Sequence, residues 1–152
     1  MPDEGEPASG KHERMVLWSL LMMAALAGAE QQVLQQVNLH RRAEALGELV
    51  WNEAAAQEAR QHCERLLKGK ARDAHSGFRQ RAARLRRVTG ARTAGENVFL
   101  MENGGFQAEK AVHAWLASEG HRRAIEGPFE WTGVGVVALG TRVCAAQIFL
   151  GR

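Results

Sequence analysis

Two signals that would point directly to a chemistry are missing from this sequence. No pair of histidines stands at an HxxxH or HExxH spacing, so the six histidines carry no local signature of a helical zinc site. Only two cysteines are present, Cys63 and Cys144, which excludes a disulfide scaffold or a zinc ribbon and allows one bridge at most. No internal repeat recurs and no low-complexity linker divides the chain. The longest uncharged apolar run, Met15 to Ala29, falls short of the roughly 18 to 20 residues that cross a bilayer core. The basic stretch from 68 to 92 has Phe78 as its one aromatic, so it lacks the stacking residues of a single-strand nucleic-acid binder.

What is present describes an ordinary globular chain. In 152 residues, 45% hydrophobic and 24% charged side chains exclude collagen-like, disordered and multi-pass membrane classes. Lys and Arg (20) barely exceed Asp and Glu (17), giving +3 and a pI near 9.3. A basic surface is expected, without a polybasic tail and without a specific nucleic-acid partner.

The run from Met15 to Ala29 follows Lys11 and Arg14 and ends in Ala25-x-Ala27 and Ala27-x-Ala29. It reads as a signal-peptide core and cleavage site, with an uncleaved anchor as the alternative because Asp3, Glu4, Glu6 and Glu13 make the preceding segment acidic. Residues 1–29 are therefore expected to be a signal peptide or N-terminal anchor, and 30–152 one domain. Cleavage after Ala29 removes four acids and two bases and takes the formal charge from +3 to +5.

Beyond Glu30 the spacing of Val33, Leu34 and Val37 predicts a helix to about Ala45, with Gly47 as its stop. Asn52 is a suitable N-cap for a second helix in which Ala55, Ala59, Cys63 and Leu66 recur until Gly69, so Cys63 is expected to face inward. A short helix from about Gly77 to Arg87 and another from Gln107 to Ser118, closed by Gly120, follow. The period then changes to two. Val134 to Leu139 and Arg142 to Leu150 read as a hairpin with Gly140 opening a type II′ turn. Cys144, Ala146, Ile148 and Leu150 share one strand face and Val143, Ala145, Gln147 and Phe149 the other, and both are apolar enough to be covered. The expected class is α+β, helices layered on a small antiparallel sheet.

Among the histidines, His12 lies in the leader, and His40, His62 and His113 are expected to be solvated or half-buried on helices. His75, before Ser76-Gly77, and His121, after Gly120, sit where loops present side chains to a cleft. Glu96, between Gly95 and Asn97, is placed as a carboxylate at a strand entry. The nine Lys and Arg residues between Lys68 and Arg92 read as a solvated face, or alternatively as a docking surface for anionic lipid or cell-envelope polymers. Cys63 and Cys144 are either bridged, in an oxidising compartment, or two buried thiols.

Taken in order, Asn38-x-His40-Arg41, Leu49-x-Trp51-Asn52, His75-Ser76-Gly77-Phe78, Gly95-Glu96-Asn97, Trp115-x-x-Ser118-x-Gly120-His121-Arg122, Gly133-Val134-Gly135-Val136 and Gln147-Ile148-Phe149 resemble the CAP superfamily. This is the SCP-like domain of cysteine-rich secretory, antigen 5 and pathogenesis-related proteins, and the resemblance, over about residues 33 to 150, is to its short bacterial secreted form. It implies a three-layer α-β-α sandwich and a cleft in which His75 and His121 bind a divalent ion such as Zn2+, with Glu96 as an adjacent acid. The second acid of animal and plant members is replaced by Ser118, and Glu119, one residue on, is turned by about 100° around a helix.

Three readings follow. The favoured one is a secreted or periplasmic, monomeric, non-enzymatic module with a divalent-metal cleft and extracellular or cell-envelope ligands. The second is a metal-dependent hydrolase with Glu96 as general base, or with Ser118 as nucleophile and His121 as its base. The third is lipid or sterol binding at a membrane surface through the 68–92 stretch. With two imidazoles and no strong third ligand, any metal should bind weakly and leave as the histidines protonate below about pH 6.5.

Overall fold

The alternation of the C-terminal third decides the architecture, because a strand that is apolar on both faces needs a helical layer on each side. The computed structural model describes residues 8–152; Asp3, Glu4 and Glu6 of the expected leader lie outside them. In chain order the elements are α1 (Ala8–Ala43), β1 (Val50–Trp51), α2 (Glu53–Leu67), α3 (Phe78–Thr89), β2 (Thr93–Glu102), α4 (Ala108–Ala117), α5 (Glu119–Glu126), β3 (Trp131–Leu139) and β4 (Arg142–Gly151).

The four strands lie in the order β1-β3-β4-β2. The hairpin pairs Leu139 with Arg142 across a two-residue loop, Gly140 has φ +61, and Thr141 keeps negative φ, as a type II′ turn requires. β2 joins β4 antiparallel, from Thr93 opposite Gly151 to Glu102 opposite Arg142, and forms one edge of the sheet. The short β1 departs from the all-antiparallel expectation and pairs in parallel with β3.

Each face of β4 carries its own core. Val143, Ala145 and Phe149 pack with α1, α4 and α5 through Val33, Val37, Val112, Trp115 and Ile125. Cys144, Ala146, Ile148 and Leu150 pack with α2 and α3 through Ala55, Ala59, Cys63 and Leu85. The result is the expected α-β-α sandwich. α2 lies almost directly on β3: a Cβ on Gly133 would come within 2.0 Å of the Ala56 amide nitrogen, and one on Gly135 within 2.3 Å of that of Arg60. Asn52 caps α2 by accepting the Ala55 N–H at 3.0 Å. Cys63 of α2 and Cys144 of β4 form a disulfide with a Cα separation of 5.4 Å, which settles the alternative of two thiols.

Three local expectations are corrected. The first helix does not begin near Glu30; α1 runs unbroken from the apolar N-terminal segment into the domain, since nothing between Met15 and Ala43 breaks a helix other than the tolerated Gly28. Gly120 does not close the helix after β2. That helix, α4, ends at Ala117, Ser118 turns extended (φ −103, ψ 122), and α5 restarts with Gly120 in its first turn. His62 is fully buried rather than solvated or half-buried, because it shares the inward face of α2 with Ala55, Ala59 and Cys63.

Candidate functional site

The edge strand β2 carries the residues that organise the cleft. Successive strand residues point to opposite faces, so Glu96, opposite Ile148, faces the α2/α3 layer, and Asn97, opposite Gln147, faces the α4/α5 layer. The two layers meet around this edge, and each brings one histidine to it.

On the α3 side, Glu96 is held by a buried guanidinium. Arg81 donates from Nε to Oε2 at 3.0 Å and from Nη2 to both oxygens at 2.8 and 2.7 Å, and both side chains are 1% exposed. Nη1 of Arg81 donates to the Ser76 carbonyl at 2.7 Å. The loop that presents His75 is tied at several further points. Asp73 accepts the His75 amide at 2.9 Å, Ser76 Oγ accepts the Asp73 amide at 2.9 Å, and His62 Nε2 donates to the Ala74 carbonyl at 2.6 Å. His75 itself donates from Nδ1 to Glu96 Oε1 at 3.1 Å, with its side chain about half exposed. That bond fixes the tautomer and leaves Nε2 as the acceptor facing out. Burial holds His62 below the ordinary imidazole pKa, so this internal ring stays neutral around neutrality.

On the α5 side the ties run to α1 as well as to β2: the buried Arg41 donates from Nη1 to the Ile125 and Gly127 carbonyls at 2.7 and 2.9 Å, and His40 Nε2 meets Glu126 Oε1 at 2.9 Å. His121 lies in the first turns of α5, and Asn97 Nδ2 donates to its carbonyl at 3.0 Å. Ile125, buried one turn later, packs α5 onto the core. Burial, and secondarily the nearby His75, lowers the pKa of His121, which favours the neutral ligand form.

The two rings face each other with centroids 6.1 Å apart and planes at 41°. Two imidazoles sharing one tetrahedral zinc at about 2.0 Å per bond bring their centroids to roughly 5 Å, so closure of about 1 Å is needed. Among the described residues no group of three His, Cys, Asp or Glu side chains converges as a ligand set. The donor set therefore fits a two-imidazole site completed by solvent, with Glu96 behind His75 in the carboxylate–histidine arrangement that orients metal ligands.

Sequence reasoning brought together His75, His121 and Glu96, and the structure places all three at this edge. The structure places Ser118 at the junction of α4 and α5, where the hydroxyl makes no capping bond, and none to a base among the described residues. Glu119 is exposed and pairs along its own helix with Arg123. Sequence reasoning left open whether Arg81 and Gln147 line the cleft or brace it; Arg81 falls on the inward stripe of α3 with Ala82 and Leu85 and braces Glu96. Asn97 and His62 were missed as positioning residues.

Fold and cleft together define a secretory-protein type of α-β-α module. The profile of the cysteine-rich secretory protein (CAP) family matches residues 34–147, and the chain belongs to that family. Among solved structures it is similar to an extracellular SCP-domain protein of Bacillus anthracis, at 27% identity and TM-score 0.65, over 83% of this chain and 41% of that one. It is similar in fold to a cysteine-rich secretory protein of Staphylococcus aureus, at 19% identity and TM-score 0.65, over 83% and 39%. The protein NaASP2, solved with Zn2+, shares the fold at 18% identity and TM-score 0.56, over 80% and 78%. The chain thus spans about two-fifths of the length of the two bacterial structures. Among curated proteins none matches it.

Proposed function

We propose that the chain is an exported, monomeric, non-enzymatic CAP module whose cleft holds a divalent ion, zinc by preference, between His75 and His121. The observation that carries this is the approach of the two imidazoles from opposite layers, one of them already oriented by Glu96. When bound, such an ion supplies a Lewis-acidic centre with solvent-filled positions that anionic or carbonyl ligands can enter. The likeness in fold to NaASP2, solved with Zn2+, supports the choice of metal. Export is supported by the apolar N-terminal helix and by the buried Cys63–Cys144 disulfide, which belongs to an oxidising compartment. The ligands proposed are extracellular or cell-envelope anions.

The state of Glu96 supports the non-enzymatic reading. A general base needs an oxygen free to take a proton, and both oxygens of Glu96 are occupied by Arg81 in a buried ion pair. The Ser118 hydroxyl makes no hydrogen bond to a base among the described residues.

Imidazole NMR signals test the metal site directly. Adding zinc at neutral pH should shift or broaden His75 and His121 and leave the outlying His40 and His113 unchanged. Equal effects on all four, or none on the cleft pair, defeat the proposal. Peptide, ester and peptidoglycan turnover should stay at background for both wild type and Glu96→Ala; activity lost in the variant would establish the hydrolase instead.

A further inference from the structure

The first half of α1 has no role in the domain. From Met15 to Met23 its large apolar side chains are 46–72% exposed, and they lie all around the helix: Met15, Leu17, Trp18, Leu20, Leu21 and Met22 point in every direction. A protein partner or a second copy covers one stripe of a helix, whereas a helix that is apolar on all sides belongs in lipid. No charge interrupts the helix between Arg14 and Glu30, and it is the one stretch among the described residues long and apolar enough to enter a membrane.

The attachment of α1 fixes which end of the domain this arm extends from. Asn38 bonds Leu49 beside the β1 end of β3, and Glu30 accepts the Val136 amide at 3.1 Å. Glu30 is buried and clamped by Arg60 at 2.8 and 2.6 Å. From Glu30 back to Met23 the helix advances about 10 Å, as far as β3 advances from Val136 to Leu139. Met23 is therefore level with the β3–β4 turn, and residues before it project beyond that turn. Leu26 and Ala29 pack against the core, so the arm is a rigid extension of the domain.

We infer that this arm embeds in a lipid bilayer as an uncleaved tether, with the β3–β4 turn at the headgroups and the His75/His121 cleft directed away from the membrane. The inference rests on the export reading above. From Met15 to Met22 the uncharged free arm is about 12 Å long, against a hydrocarbon core of about 30 Å. It therefore lies tilted in the near leaflet, with Lys11 and Arg14 reaching back to the headgroups. A tether this short draws the domain down onto the surface. The end so placed exposes Leu100 and Leu139, with Lys68, Lys70 and Arg142 against Glu64, which pairs with Lys68, and Glu102, opposite Arg142, so apolar contacts sit among charges with a small cationic excess. Glu96 lies six strand residues from the turn end of β2, about 20 Å above the surface. The outward arginines of α3, such as Arg87, lie farther still, toward Arg92 and Gly151. They face the surroundings, not the tethering membrane.

The test uses the full chain in vesicles of phosphatidylcholine and phosphatidylglycerol, with brominated lipids as quenchers and a fluorophore at Leu139→Cys or Arg87→Cys. The expected result is sedimentation that survives high salt, with quenching several-fold stronger at 139 than at 87. Equal quenching, or stronger quenching at 87, overturns the orientation. Leu17→Glu/Leu21→Glu, at exposed arm positions, should release a folded domain; undiminished sedimentation overturns the tether. In cells, a soluble exported product beginning at Glu30 refutes the tether and leaves export intact. An intact chain in the cytosol refutes the export reading itself.

Discussion

The two walls of the cleft are built on different principles. The His75 wall is a polar lattice: Arg81 and Glu96 neutralise each other in the interior, the Asp73–Ser76 turn and His62 hold the loop, and the Cys63–Cys144 disulfide ties the α2 layer to β4. The His121 wall rests on α5, which is seated by Ile125, bonded at its C-terminal end to Arg41 and His40 of α1, and joined to β2 through Asn97. Among the described residues it has no buried ion pair and no covalent tie at the strand. On the proposed reading, the first wall fixes one ligand in tautomer and position, and the second would close the last ångström. On this account the metal affinity depends on damage to either wall, but the stability of the domain depends mainly on the first.

The largest effect expected is on the covalent tie. A loop of separation 81 constrains the unfolded chain by about 4.5 kcal/mol, so Cys63→Ala/Cys144→Ala should lower denaturant stability by about that amount. Next, Arg81→Met leaves the Glu96 carboxylate buried without its cation and should cost about 3 to 5 kcal/mol. A comparable loss from an Asn97 variant would erase the contrast between the walls. Asn97→Ala removes one partly buried hydrogen bond and should cost about 1 to 2 kcal/mol, yet weaken zinc binding by freeing His121.

The smallest effect is a pH dependence. His62 and His121 both have pKa values lowered by burial, so the folded state binds fewer protons than the unfolded state. Their contribution is therefore complete above the ordinary imidazole pKa of 6.5 and is lost as pH falls below it. Thermal melts from pH 7.5 to 5 should show this decline, and His62→Gln should reduce its slope. An unchanged slope would remove His62 from the lattice of the first wall.

Much of this was legible in the sequence because it is periodic or local. The two faces of β4, the Gly140 turn and the Asn52 cap follow from spacing and turn chemistry. His75, Glu96 and His121 were marked by loop and strand-entry placement, and the family resemblance supplied their expected roles as ligands and adjacent acid. What could not be read is what depends on contacts between distant segments. Arg81 stands among nine basic residues, and whether it lines the cleft or braces it is decided only by its pairing with Glu96 across 15 positions. His62 gives no sign of burial until the Ala74 carbonyl is placed against it. The first helix was expected to start near Glu30, whereas α1 runs through that point because no breaker intervenes and Leu26 finds the core.

The central claim is that the two walls meet to hold one ion. Calorimetric titration of zinc at neutral pH into the metal-free full chain, beside His75→Ala and His121→Ala, tests it most directly. The account predicts one ion bound by the wild type and loss of that site in both variants. Wild-type protein that takes up no zinc, or variants that bind it undiminished, would contradict it.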